Sequence, residues 1–338
     1  MKDLLKIIKE HSLRFILFMS SVLLLTGIEI WDHFSPPPAR DWIATNLERI
    51  QVTDPANFSF AVFGDNKNSH SVFDNLLDHI NRDPEISFAV DIGDMVYDGE
   101  KEKYRYFLNQ IQDHLRKPLL TAIGNHELRE SGRGLYHEIF GPFYYSFQIG
   151  KACFTILDDA NGDGLDRWQK RWLEKELTRA QTCEQRLVFM HVPLYDPRGD
   201  IYHHCLPEWA ADELARLFGK YHVTHIFSSH IHGYYQGQWN GVPYHITGGA
   251  GAELYGNDPR HYFFHYLKVQ VHDGELKIEV KPLPSPEYEW IDRMAYLVWL
   301  YLYAFLRIHG IELGLLLIIT TLAIPAYRFV SWKLRPRP

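Results

Sequence analysis

From about residue 57 onward, short apolar runs alternate with amphipathic stretches, a pattern that predicts an α/β body. Residues 58–64, 87–93 and 119–124 read as strands, with helical periodicity at 70–81 and 100–115 between them. Residues 144–159 read as a hairpin with Gly150 at its turn, and 165–180 as an amphipathic helix. A strand at 186–191, a helix at 207–220 and a strand at 224–230 follow, then further strands near 242–247, 262–272 and 275–281. No internal repeat or low-complexity tract interrupts this order.

The ends follow a different pattern. Residues 15–28 carry no charge and lie between Arg14 and Glu29, with Trp31 beyond. From Arg14 to Trp31 a helix would reach about 27 Å, enough to span a bilayer. A secretory signal peptide also begins basic and then apolar, but no small-residue cleavage pattern follows the run, which favours an uncleaved anchor. Residues 313–327 are again uncharged and are followed by Arg328 and Trp332. Before them, 294–306 is dense in Trp, Tyr and Phe, a composition suited to the membrane interface, although the segment is also apolar enough to read as a third crossing.

Charge decides the parity. The net charge of −7 averages two basic tails, +2 over residues 1–14 and +4 over 328–338, with a body at −13. Basic tails favour the cytoplasmic side, and two crossings place both there. The expectation is thus an integral membrane protein with its body on the non-cytoplasmic side, whether periplasmic, extracellular or lumenal. The segments are a tail (1–14), an anchor (15–31), a linker (32–56) stiffened by Pro36, Pro37 and Pro38, the body (57–283), an interfacial segment (284–310), a second transmembrane helix (311–330) and a tail (331–338). An acidic body repels phosphate backbones and argues against nucleic acid as a partner. No protein partner is implied.

Three cysteines exclude a disulfide framework and a Cys-rich zinc site. Cys153 and Cys183 flank strands that could be neighbours, and on the non-cytoplasmic side they could pair; two buried thiols are the alternative.

Chemistry concentrates where apolar runs end. Asp65, Asp94, Asn125, His126, His191, His230 and His232 each follow a strand-like segment, the position at which α/β sheets place their sites. Singly, each is as readily a cap or a structural histidine. Together the blocks F-G-D-N-K (63–67), G-D-M-V-Y-D-G (93–99), G-N-H-E (124–127), V-F-M-H-V-P (188–193) and S-H-I-H-G (229–233) resemble the calcineurin-like metallophosphoesterases over about residues 57–283.

That resemblance implies a sandwich of two mixed sheets flanked by helices, here with a transmembrane helix at each end, and two metal ions drawn from Fe, Mn or Zn. Asp94 would bridge them. Asp65 and His232 would hold the first metal, and Asn125, His191 and His230 the second. His126 would sit at the leaving-group oxygen as acid or transition-state stabiliser, with Glu127 orienting it, facing solvent or serving as a cap. Lys67 stands where the family usually has a histidine ligand. Tyr97 then resembles the ligand tyrosine of the purple acid phosphatase branch, or it packs on the sheet. Lys67 would meet a substrate phosphate oxygen, or is a solvated surface lysine. Ser229 replaces a usual glycine with little expected effect. Gly248, Gly249 and Gly251 either let backbone approach the site or form a tight turn. His203 and His204 line the pocket or lie on the surface. Trp168 and Trp172 are core or groove contacts.

The implied reaction is hydrolysis of phosphomonoesters or phosphodiesters, with lipid-linked phosphates as the substrate that a membrane location suggests. Soluble extracytoplasmic phosphate esters, and a non-catalytic membrane scaffold with a degenerate site, are the rival readings.

Overall fold

The computed structural model describes residues 19–20, 22–24, 26–27, 30–31, 37–199, 203–286, 289–318 and 320–321. Contacts divide the chain into two units, residues 37–296 and the terminal segments 1–36 with 297–338.

The larger unit begins with α1 (Trp42–Arg49) and β1 (Asn57–Phe63), then α2 (Ser71–Arg82), β2 (Ile86–Asp91), α3 (Lys101–His114) and β3 (Leu119–Thr121). A 3-10 turn (His126–Ser131) and α4 (Gly132–Phe140) lead to the hairpin β4 (Tyr145–Ile149) and β5 (Ala152–Ile156). There follow α5 (Arg167–Arg179), β6 (Gln185–Phe189), α6 (Glu208–Lys220), β7 (His225–Ser228), β8 (Tyr234–Trp239), β9 (Val242–Thr247), β10 (His265–His272) and β11 (Glu275–Pro282). Five strands form one mixed sheet in the order β11-β10-β1-β2-β3, and six form the other in the order β4-β5-β6-β7-β9-β8. The expected pair of mixed sheets is present.

Each element follows from its residues. Strand β1 is buried over almost its whole length, as a central strand covered on both faces must be. Helix α2 buries Val72, Phe73, Leu76, Leu77 and Ile80, one face at helical spacing. Helix α5 starts at Asp166, whose side chain accepts from the backbone N–H of Trp168 and Gln169. Between the sheets lies a phenylalanine layer. Phe60 stacks on Phe88 at 5.2 Å, Phe147 on Phe154 at 4.4 Å, and Phe189 on Phe227 at 5.0 Å. These pairs stack along each sheet, and across the gap Phe154 meets Phe60 edge-on at 5.3 Å and Phe88 at 5.8 Å, so aromatic contacts join the two sheets.

Three elements lay outside the sequence reading: α1, α4 and β8. Helix α1 falls in the expected linker, yet it docks on the edge strand β3. Trp42 Nε1 donates to the Leu119 carbonyl at 2.8 Å, and Asn46 Oδ1 accepts from Leu119 N–H at 3.2 Å. The helix thereby satisfies edge groups that would otherwise lie open. Cys153 and Cys183 are joined as a disulfide linking β5 to the turn before β6.

In the terminal unit residues 19–20, 22–24, 26–27, 30–31, 310–318 and 320–321 are helical. Residues 15–18, 21, 25, 28–29, 319 and 322–330 of the two expected spans lie outside the described residues. Among those described, no helix is long and apolar enough to cross a membrane. Helix α7 (Glu289–Ile308), which contains the aromatic segment 294–306, exposes Trp290, Ile291, Met294, Val298, Leu302 and Phe305.

Candidate metal centre

The loops after β1, β2, β3, β6 and β7 meet at one edge of the sandwich, where the strands' carboxyl ends converge. Asp65 and Asp94 both adopt left-handed backbone, with φ of 59° and 58°. Their loops are tied by Asp65 N–H to Gly93 O at 3.0 Å and Lys67 N–H to Asp94 O at 2.9 Å. Lys67 and His230 share the left-handed conformation, at φ 43° and 66°. Non-glycine residues rarely hold it unless the surroundings impose it, and such strain gathers at functional sites. Gly93, at φ +100°, has no such penalty, and a Cβ there would lie 2.7 Å from His191 Nδ1.

Two ligand groups result. Asp65, Asp94 and His232 form one, and Asp94, His191 and His230 the other, with the ligand atoms of each group within 4.8 Å of one another. Asp94 belongs to both, the placement of a bridging carboxylate. Asn125 Oδ1 joins the second group, 3.0 Å from His191 Nε2 and 2.9 Å from His230 Nδ1. Hydrogen bonds on the far nitrogens set two of the imidazoles. His191 Nδ1 pairs with Ile92 O at 3.0 Å, and His232 Nδ1 with Glu253 O, which leaves each Nε2 as the coordinating atom.

The donor set fits metal ions. Asp65 Oδ1 is buried without a hydrogen-bond partner, a costly state for a carboxylate oxygen unless a cation takes it. Burial, then the charge of Asp94, raises the Asp65 pKa to about 6. Asp94 is held well below the usual carboxylate range although burial opposes this, because His191 and Lys67 lie against it. Burial and the proximity of His191 depress His230 to about 3, and burial and Lys67 hold His232 well below the ordinary histidine range. Both rings are therefore neutral, as ligation requires.

His126 sits at the rim of the cradle. Its Nδ1 hydrogen-bonds the Tyr97 carbonyl at 2.6 Å, and its Nε2 faces Asp94 Oδ2 at 3.7 Å. Burial lowers its pKa to about 4 against the opposing pull of Asp94. Tyr97 is half-buried, its ring edge-on to His126 at 5.7 Å. Lys67 is not a solvated surface lysine. Its Nζ lies 2.8 Å from His232 Nε2 and 3.3 Å from Asp94 Oδ2.

Several expectations are corrected. Glu127 does not face solvent; it takes the capping role, fully buried and accepting from three backbone N–H groups, those of Asp94 at 2.9 Å, Gly124 at 2.7 Å and Val96 at 3.0 Å. Ser229 is not neutral, since its hydroxyl donates to Asp65 Oδ2 at 2.6 Å. The glycine loop is a close approach, because a Cβ on Gly248 would lie 2.5 Å from Asp65 Oδ2. His204 stands 5.7 Å, ring to ring, from His230, whereas His203 is exposed. Trp172 packs on Tyr144 at 4.8 Å, and Trp168 is exposed.

Two residues were missed from the sequence. Asp159 accepts from His191 N–H at 2.8 Å and Val192 N–H at 2.9 Å, and burial raises its pKa to about 7. Its signal was present: it too is an acid directly after a strand. Tyr255 lies over His232 with ring centroids 4.8 Å apart, and no local pattern announced it.

The family model for calcineurin-like phosphoesterases matches residues 58–234. The chain is 28% identical over 214 residues to the serine/threonine-protein phosphatase CPPED1 of Rattus norvegicus, covering 57% of this chain and 66% of that protein. It is 28% identical over 189 residues to a probable cyclic nucleotide phosphodiesterase of Rhodopseudomonas palustris, covering 52% and 68%. Among solved structures, a purple acid phosphatase from yellow lupin superposes with a TM-score of 0.55 at 21% identity, over 67% of this chain and 51% of that one, a likeness of fold. The chain thus spans just under two thirds of the rat protein and about half of the lupin one.

Proposed function

We propose, from the premise that this chain belongs to the calcineurin-like phosphoesterase family, that it hydrolyses phosphate esters at a two-metal centre bridged by Asp94. The observation that carries this reading is the pair of ligand groups sharing Asp94, with Asp65 Oδ1 of the first group buried and without a hydrogen-bond partner. Asp65, Asp94, His232 and Tyr97 would hold the first ion, and Asp94, Asn125, His191 and His230 the second. Such ions, when bound, neutralise charge on phosphoryl oxygens and make water a nucleophile near neutral pH.

The chain's own groups do the rest. Glu127 and Asp159 grip the backbone at Asp94 and His191, so the ligands are held in place before substrate arrives. His126 is oriented by the Tyr97 carbonyl with Nε2 toward the cradle, where a phosphate dianion would favour its protonated form and a proton could pass to the leaving oxygen. The Lys67 ammonium, already beside Asp94, would turn to a phosphate oxygen.

Metal analysis and hydrolysis together test the reading. About two metals per chain, and loss of activity on a chromogenic phosphodiester in Asn125→Ala, support it. A protein that takes up no metal from supplemented buffer is the scaffold instead. With iron bound, a visible charge-transfer band lost in Tyr97→Phe identifies the tyrosine as a ligand, and an iron-loaded protein without the band removes it.

We further infer a membrane-tethered body on the non-cytoplasmic side. The Cys153–Cys183 disulfide supports an oxidising compartment. The exposed apolar residues of α7 support contact with a bilayer and favour lipid-linked phosphates as a second substrate reading. Detergent-solubilised protein that ignores phospholipids but cleaves sugar or nucleotide phosphates removes the lipid-linked reading.

A further inference from the structure

Tyr255 is 61% exposed although it sits directly on a buried metal-ligand candidate. Its ring lies 22° from parallel to the His232 imidazole at 4.8 Å, so one face is covered by that ligand. The segment bearing it is anchored on both sides. His232 Nδ1 is bonded to the carbonyl of Glu253, two residues before Tyr255. Gly256, directly after it, packs so closely on Tyr262 that a Cβ would lie 2.0 Å from that ring. The Tyr255 ring is therefore held in place, not a loose surface side chain. Across the cradle, His204 stands beside His230, and the Lys67 ammonium lies at His232 Nε2, on the phosphate side of the same imidazole.

We propose that Tyr255 is a stacking platform for the leaving group, and that the preferred substrates are phosphate esters whose alcohol part carries a planar aromatic ring, as in a nucleotide. The inference rests on the phosphoesterase reading and refines it. A phosphate at the cradle places its ester substituent outward, along the layer that His232 and Tyr255 begin. A planar ring extends that layer by offset stacking, which an alkyl or sugar substituent matches less well. Exposed aromatic area at the mouth of a polar site is a cost in water, and a ring seated on it removes that cost.

The test compares binding of two hydrolysis-resistant phosphonates to the metal-loaded full chain by calorimetry, the analogues of adenosine 5′-monophosphate and of ribose 5-phosphate. They differ only by the base. The wild-type protein is expected to bind the adenosine compound about tenfold more tightly. That preference should vanish in Tyr255→Ala and persist in Tyr255→Phe, with metal content unchanged in both. A wild-type ratio near one, or a ratio preserved in Tyr255→Ala, overturns the platform. So does an equal loss of both ligands together with loss of metal, which would make Tyr255 a cover for His232. If the metal-loaded wild type binds neither phosphonate and hydrolyses no phosphate ester, the phosphoesterase reading itself fails.

Discussion

Glu127 Oε2 accepts the backbone N–H of Asp94 at 2.9 Å, so the residue shared by both candidate ligand groups is held from its main chain by a residue 33 positions later. The same oxygen binds Gly124 N–H, and Oε1 binds Val96 N–H. One carboxylate thereby clamps the loops after β2 and β3 together. Asp159 does the same for the loop after β6, through the N–H groups of His191 and Val192. The two acids are fully buried and bond to backbone N–H groups.

Replacing Glu127 by Gln turns an amide NH2 toward at least one buried N–H. Leaving such a donor unsatisfied costs about 1–3 kcal/mol. The expected outcome is a lower thermal midpoint and weaker metal affinity together, measured by calorimetry and by metal titration. A variant with wild-type values for both would show that the clamp is dispensable.

Lys67→Ala should weaken inhibition by inorganic phosphate by about tenfold or more, the scale of a lost charge-assisted hydrogen bond. Metal content should be unchanged, because Lys67 is not a ligand. Phosphate inhibition equal to that of wild type would remove Lys67 from the phosphate site and leave it as an ion-pair partner of Asp94.

The Cys153–Cys183 disulfide closes a loop of 30 residues in sequence. Opening it by a double substitution to Ser is expected to cost about 2–4 kcal/mol of stability. Urea unfolding of the oxidised wild type against the variant measures this. Equal midpoints would mean that β5 and β6 hold this edge without the bond.

Away from the metal cradle, His225 Nε2 meets His245 Nδ1 at 2.8 Å across β7 and β9. Burial, then His245, depresses His225 to about 3, and burial, then His265, depresses His245 to about 4. Both values lie below the ordinary 6.5 of a free histidine. The unfolded chain therefore takes up protons that the folded chain refuses, and stability falls as pH drops from about 6.5 toward 4. Each such group contributes up to about 1.4 kcal/mol per pH unit in that window. His225→Phe should flatten this acid limb, read as the difference between urea midpoints at pH 7 and pH 5. An unchanged difference would place the acid sensitivity elsewhere.

Much of the site was legible from the sequence because its chemistry lies at strand ends. A strand's period and length show where it stops, and a sheet brings all such stops to one edge. Asp65, Asp94, Asn125, His126, His191, His230 and His232 could therefore be grouped before any distance was known. The apolar runs likewise placed most strands, while the two-sheet arrangement came from the resemblance to the calcineurin-like phosphoesterases. Helix α1 was not legible, since a short polar-rich helix after three prolines differs little from linker until Trp42 and Asn46 meet Leu119.

The tertiary structure decided what supports and surrounds those ligands. Glu127 and Asp159 bind backbone N–H groups, which every residue but proline offers, so no residue type or spacing marks the partner. Ser229 reaches Asp65 across 164 positions, and Lys67 reaches His232 across 165. Tyr255 acquires its place from one stacked ring. The order of the motif blocks along the chain carries the resemblance that names the candidate ligands, whereas the hydrogen bonds and stacking that aim them exist only once distant loops have met.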